Sequence, residues 1–239
     1  LSSTSEYVKY ADIDLFLPYV PNARMDRTKH DCEVFTLKYF CKFINSLNFT
    51  NVFVLDPHSD VTTALIDNVK LINVELFIRQ AIYKSDKSCY ELVIYFPDAG
   101  AMKRYKDYKC FKNFNVIYGN KVRDWETGEI KGIEILDKNS EKFNSELLKD
   151  DKKIDVLMVD DIISYGGTLA YSADELKKLG FNNIYAYASH IENSVLDEEK
   201  GTLLNRLKNG VVKCIYTTDS IYKGHSMYVD VLKYPFARP

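Results

Sequence analysis

The chain has 239 residues, 46% of them hydrophobic and 28% charged, with a formal net charge of −2. That length gives room for one large or two small domains with enough core to fold without staples, and the near-neutral balance gives no support to an electrostatic nucleic-acid binder. No apolar run approaches the ~20 residues of a membrane span and the first residues lack the apolar core of a signal peptide, so no membrane partner is expected. Five cysteines, Cys32, Cys41, Cys89, Cys110 and Cys214, are scattered and show no CxxC. They read as reduced thiols of a cytoplasmic protein, not as a disulfide or zinc framework.

Residues Leu1 to Tyr10 are short and polar and look like a start in mid-structure. Ile13 to Leu17 is a β-type run ending in Pro18-Tyr19, and the segment after it carries Arg24, Met25, Asp26 and Arg27. A helix is expected from about Glu33 to Leu47, with Phe35, Tyr39, Phe40 and Phe43 as its apolar face. Asn51 to Leu55 reads as a buried strand with Asp56-Pro57-His58 at its carboxyl end. Leu71 to Tyr83 reads as a helix, and Leu92 to Phe96 as a strand ending in Pro97-Asp98-Ala99-Gly100, with Lys103 and Arg104 in the helix that follows. Asn115 to Tyr118 is a short strand. The Glu126-Thr127-Gly128 centre beyond it suggests a mobile hairpin carrying Lys121 and Arg123.

Asp155 to Gly180 holds the strongest signal. Val156 to Val159 has the pattern of a strand buried on both faces, followed by Asp160 and Asp161 at the strand's end. A short loop reaches Gly166-Gly167-Thr168, and Leu169, Ala173, Leu176 and Leu179 then recur at helical spacing up to a stop at Gly180. A glycine turn feeding a helix N-terminus faces an anion, and the neighbouring acids suit sugar hydroxyls or a metal. The stretch therefore reads as a pocket for a phosphorylated sugar. Asn183 to Ala188, Val211 to Tyr216 and Tyr228 to Leu232 add strands, and a helix is expected from about Val195 to Leu207.

Alternation of strands and helices implies an α/β fold with parallel sheets flanked by helices. Asp56 with His58, Asp98, and Asp160 with Asp161 each fall at a strand's carboxyl end, where ligands sit in such sheets. Asp98 also suits a helix cap. An imidazole and a carboxylate at neighbouring strand ends suit a divalent cation, and the absence of thiolates with phosphates to complete the shell favours Mg²⁺. Lys121 and Arg123 read either as plain surface charges or as cations that neutralise a transferring phosphoryl group.

In order, PYVPNARMDR, Asp56-Pro57-His58, PDAGAMKR, Lys121-Val122-Arg123, VDDIISYGGT and Ala188-Ser189-His190 resemble the motifs of ribose-phosphate diphosphokinases, relatives of the type I phosphoribosyltransferases. The resemblance implies two phosphoribosyltransferase-like half-domains: residues 1–69, incomplete and on the ATP side, and residues 70–239, on the ribose-phosphate side with the loop 160–168. A flexible hairpin would cover the site. It implies transfer of the β,γ-diphosphate of Mg-ATP to the anomeric hydroxyl of a ribose 5-phosphate compound. Arg24, Met25, Arg27 and His58 would serve ATP, and His58 and Asp98 would hold Mg²⁺. Lys121 and Arg123 would be catalytic. Asp160, Asp161, Ser164, Tyr165, Gly166, Gly167 and Thr168 would bind the ribose phosphate. A homo-oligomer is expected on the same ground.

Ser164-Tyr165 stands where the family has Asp-Thr, Met25 where it has glutamine, and Ala101 where it has a second glycine. A tyrosine beside the 5′-phosphate turn suits a ribose 5-phosphate that carries a further group. ADP-ribose is the favoured acceptor, as in relatives encoded by phages that work in NAD synthesis in the host cytoplasm. Ordinary synthesis of phosphoribosyl diphosphate from ribose 5-phosphate is the alternative. A phosphoribosyltransferase and an inactive regulatory paralogue are the competing classes.

Overall fold

The computed structural model describes residues 12–28, 30–85, 92–123, 130–137, 139, 141–143 and 153–233, with the side chains of 121–131 excepted. The chain divides into two compact units, Leu1–Val74 and Glu75–Pro239. In the first, β1 (Asp14–Leu17), α1 (Thr36–Ser46), β2 (Asn51–Leu55), α2 (Asp60–Leu65) and β3 (Val69–Ile72) follow one another. The three strands pair in parallel in the order β1-β2-β3. Leu37, Cys41 and Ile44 recur at helical spacing on α1, and they pack with Val52 and Val54 of β2 and Ile66 in one apolar core.

The helix expected from Leu71 to Tyr83 forms only from Glu75, as Glu75–Ser85. The run from Leu71 is not the start of a helix. Val69–Ile72 pairs with β2, because a short Val/Ile run fits a strand as well as a helix and an adjacent strand edge decides between them. Helix α2 was not foreseen, since Val61, Thr62 and Thr63 are poor helix formers and the element is held by its tertiary setting. The division between units accordingly falls after Val74, a few residues beyond the expected one.

The second unit holds α3 (Glu75–Ser85), β4 (Leu92–Phe96), α4 (Ala99–Tyr105), β5 (Asn115–Arg123), β6 (Ile130–Asp137), β7 (Asp155–Ile163), α5 (Gly167–Leu179), β8 (Ile184–Ile191), α6 (Thr202–Lys208), β9 (Val212–Thr217) and β10 (Val229–Val231). Its seven strands lie in the order β10-β9-β8-β7-β4-β5-β6, all parallel except the β5/β6 hairpin. All five residues of β4 are buried, as a strand covered on both faces requires. From β4 the sheet grows towards β5 on one side and, through β7, towards β8 on the other. The crevice at the carboxyl ends of β4 and β7 is therefore the switch point where ligands bind in such sheets. Among the described residues no helix is long and apolar enough to cross a membrane.

Helix α5 ends as its sequence predicts. Gly180 takes φ 104°, and the amides of Gly180 and Phe181 return to the carbonyls of Lys177 and Leu176 at 3.0 and 3.2 Å. The single helix expected from Val195 to Leu207 is instead a 3₁₀ turn at Asn193–Leu196 followed by α6. Asp197 breaks it: its carboxylate accepts from the amides of Glu199 and Lys200 at 2.9 and 2.8 Å, and its carbonyl from the Gly201 amide at 2.8 Å. Arg206 of α6 then forks onto Asp174 of α5 at 3.2 and 2.6 Å, which fixes the short helix against the long one.

Strand β7 is anchored at its base by the buried carboxylate of Asp155. It accepts from Asn182 Nδ2 at 2.8 Å, from the Asn183 amide at 3.0 Å and from Asn183 Nδ2 at 3.2 Å. Asp155→Ala leaves these donors unsatisfied and is expected to cost about 2–4 kcal/mol of stability, read as a lower urea midpoint with an unchanged slope. A loss under 0.5 kcal/mol, the level of an ordinary surface change, would contradict the anchor.

Candidate functional site

The acids at the switch point sit deeper in the sheet than the sequence suggested. β7 continues through Ile163 because Asp160 pairs with Ala188, Ile162 with His190 and Ile163 with Ile191. Asp160 and Asp161 are thus within the strand, not past its end. Across the switch point, α4 brings Arg104 to them. Its Nη2 donates to Asp161 Oδ1 at 2.6 Å and stands 3.6 Å from Asp160 Oδ1. The side chains of Asp161 and Arg104 are only 3% and 22% exposed, so little water screens the pair. The Asp161 amide donates to Asp160 Oδ1 at 2.9 Å. Burial, then the adjacent Asp161 charge, holds the Asp160 carboxyl well above the usual carboxylate range, with Arg104 opposing. Arg104 was not among the expected site residues. The signal was its place in PDAGAMKR, in the helix that Asp98 begins.

The phosphate-type turn forms as expected. Gly166 takes φ 80°, and a Cβ there would lie 2.4 Å from the Cβ of Leu203, so backbone and packing both demand glycine. The Ala170 amide donates to the Gly166 carbonyl at 2.9 Å. The amides of Gly167, Thr168 and Leu169 thus stand ahead of the helical ladder, at the positive end of a 13-residue helix. α6 supports the turn from behind, with the Leu203 amide donating to the Tyr165 carbonyl at 3.3 Å. The Tyr165 side chain is 42% exposed. Ser164 is engaged elsewhere: its hydroxyl donates to Glu192 Oε2 at 2.6 Å, and Ser194 donates to the same oxygen at 3.2 Å.

Asp98 is the N-cap of α4, its Oδ1 accepting from the Ala101 amide at 3.0 Å. His58 belongs to the first unit, half-buried beyond Asp56, whose φ of 44° turns the chain sharply as it leaves β2. Asp26 in the same unit is buried and accepts from Arg27 Nε at 3.0 Å. Burial pushes its carboxyl up, and the Arg27 hydrogen bond and charge outweigh this and leave it below the usual range. Asp26 therefore tethers the exposed Arg27, while Arg24 and Met25 are exposed. Lys121 and Arg123 pair through their backbone with Ile133 and Ile130 of the hairpin, and their side chains lie outside the described residues, as does the hairpin tip at 124–129. His190 is buried on β8 with Nδ1 2.8 Å from Ser220 Oγ, a contact that ties β8 to the loop after β9. Among the described residues no three His, Cys, Asp or Glu side chains converge as a metal cluster.

No protein-family model matches the chain. It is similar to the ribose-phosphate pyrophosphokinase of Vibrio cholerae serotype O1, 27% identical over 220 residues, which are 87% of this chain and 61% of that protein. The enzyme of the same name from Sulfolobus acidocaldarius is 28% identical over 218 residues, 90% of this chain and 67% of that one. The chain thus spans about 61% of the length of the first of these relatives. In structure it is similar to the phosphoribosylpyrophosphate synthetase from Mycobacterium smegmatis, with a TM-score of 0.70 at 18% identity over 95% of this chain and 70% of that one. The fold is therefore that of a phosphoribosylpyrophosphate synthetase: parallel sheets flanked by helices.

Arg104→Ala strips the counter-charge from buried carboxylates and is expected to cost about 3 kcal/mol of stability, measured by urea unfolding at pH 7. Loss of under 0.5 kcal/mol would mean the ion pair is a solvated one. The raised Asp160 carboxyl gives a second expectation. The native chain keeps a proton that the unfolded chain releases, so this group's contribution to stability falls as pH rises above the ordinary carboxylate range. Asp160→Asn abolishes that titration. Its stability relative to the unsubstituted protein should therefore be more favourable at pH 8 than at pH 4, and a difference independent of pH would contradict the shift.

Proposed function

We propose that the chain acts as a Mg-ATP-dependent diphosphotransferase on the anomeric hydroxyl of a ribose 5-phosphate compound. A bond forms between that oxygen and the β-phosphorus of ATP, and the bond from the β-phosphorus to the α,β-bridging oxygen breaks, releasing AMP. The observation that carries this proposal is the switch point itself: an acid pair on β7, Asp161 buried and Asp160 partly so, an arginine against it and the Gly166–Thr168 turn at the head of α5. Sequence similarity to ribose-phosphate pyrophosphokinases, by name enzymes of ribose phosphate, supports the same reaction and favours free ribose 5-phosphate as acceptor.

In this scheme Asp160 and Asp161 accept hydrogen bonds from the ribose hydroxyls, and the Gly167 and Thr168 amides take the 5′ phosphate. Arg24, Met25 and Arg27 serve the nucleotide, with Asp26 orienting Arg27. The donors offered to magnesium, the Asp98 carboxylate and the His58 imidazole, are two. With its Oδ1 already capping α4, Asp98 suits an ion that arrives on ATP and takes most of its ligands from phosphates and water. When bound, Mg²⁺ supplies charge neutralisation at the phosphates. Lys121 and Arg123 supply fixed positive charge where the transferring group gains negative charge. Assembly of several copies belongs to the same proposal.

A second acceptor, ADP-ribose, has one observation in its favour. Tyr165 offers an exposed ring directly beside the turn, a surface on which a nucleotide can stack.

Incubation with ATP, Mg²⁺ and ribose 5-phosphate should release AMP at a rate well above ATP alone, and Lys121→Ala should lower that rate about 10²–10³-fold. AMP release with neither ribose 5-phosphate nor ADP-ribose would overturn the proposed function, and faster release with ADP-ribose would exchange the two acceptors.

A further inference from the structure

A carboxylate outside the acid pair, that of Glu192, reaches Ser164 beside the glycine turn. Glu192 follows β8, its amide donates to the Ile163 carbonyl at the end of β7 at 2.9 Å, and its carbonyl accepts from the Val195 amide at 3.1 Å. The residue is thus fixed by backbone at both its amide and its carbonyl, and half-buried. Its Oε2 accepts from Ser164 at 2.6 Å and from Ser194 at 3.2 Å, with the two hydroxyls 3.3 Å apart. Ser164 is two residues before Gly166, in a turn that cannot yield because Leu203 fills the space behind it. A fixed negative charge and a committed serine donor therefore border a cradle built for an anion.

Resting on the diphosphotransferase proposal, we infer that Glu192 is a specificity-determining residue that senses the charge of the acceptor's 5′ phosphate, penalising a doubly charged monoester and so narrowing the advantage of ribose 5-phosphate over an acceptor whose 5′ phosphorus carries one charge. A phosphomonoester carries close to two negative charges at neutral pH because its second proton leaves near pH 6. A 5′ phosphate joined through an anhydride to a second phosphate carries one, the other charge of the diphosphate lying on the next phosphorus. Both gain from the amides and dipole of α5, while the monoester's second charge meets Glu192, and the Ser164 proton already points at that carboxylate. In an open site the penalty would be screened, but a half-buried carboxylate is screened less. Repulsion of this kind discriminates between acceptors without any contact to the group beyond the phosphate.

The test compares ribose 5-phosphate, a monoester, with ADP-ribose, whose ribose 5′-phosphorus is one half of a diphosphate and carries a single charge. Affinity is read by calorimetry and kcat/KM by AMP release, in the unsubstituted protein, Glu192→Gln and Glu192→Asp. Gln keeps an acceptor for both serines and removes the charge, and Asp keeps the charge. With Gln, the preference for ribose 5-phosphate relative to ADP-ribose should rise about ten-fold, the scale of one charge acting across several Å of partly screened protein. Asp should stay near the original ratio. A ratio unchanged by Gln, or both acceptors falling together, overturns the inference. Absence of AMP release with a shifted affinity ratio overturns the diphosphotransferase function and leaves charge selection standing. Failure of either acceptor to bind overturns both.

Discussion

Two adjacent carboxylates in the middle of a parallel sheet are costly, and the second unit is arranged around making them tolerable. Each loses hydration on burial and each raises the cost of ionising the other. Two features answer that cost: Arg104 stands against Asp161, and the Asp161 amide donates to Asp160. The first depends on topology. Arg104 is in reach only because β4 and β7 are neighbours although distant in sequence, and because α4 leaves β4 at the switch point. A loop-borne acid pair would need none of this, but it would also lack the fixed direction that the strand gives it.

The same topology sets how Asp98 takes part. As N-cap it begins α4, and α4 carries Arg104 six residues on, so the capping carboxylate and the residue that neutralises Asp161 are set by one short element. The N-terminus of α5 works by a comparable economy, with Gly166 held both by its left-handed backbone and by Leu203. Positioning in this site therefore comes from backbone hydrogen bonds and packing, with few long side chains to order on binding.

Much of this was legible in the sequence because strong local signals coincided. The Val156 to Val159 run, the acids, the Gly-Gly-Thr turn and the Gly180 stop each have a mechanism that acts within a few residues, and all four appear in the structure. What stayed hidden depends on partners far along the chain. Val69–Ile72 became a strand because β2 offered an edge. Asp160 and Asp161 were drawn into β7 because β8 continues beside them to Ile191. Arg104 is an ordinary basic residue in a helix until β4 and β7 are known to be neighbours. Glu192 shows nothing in sequence, since its hydrogen bond to Ser164 spans 28 residues.

Not every part of the turn is equally free to change. Gly166 is fixed by φ and by a contact that admits no Cβ, Asp161 by its ion pair, and the Tyr165 carbonyl by the Leu203 amide. The side chains of Ser164 and Tyr165 are under no such requirement: one reaches across to a carboxylate after β8 and the other is largely in solvent. Variation at these two positions leaves the backbone amides where they are and alters only what borders them, a hydroxyl committed to Glu192 and an exposed ring. A site built this way can keep its acid pair and its turn while the groups that border the turn drift, because the constraints that hold Asp161 and Gly166 and those at Ser164 and Tyr165 fall on different residues.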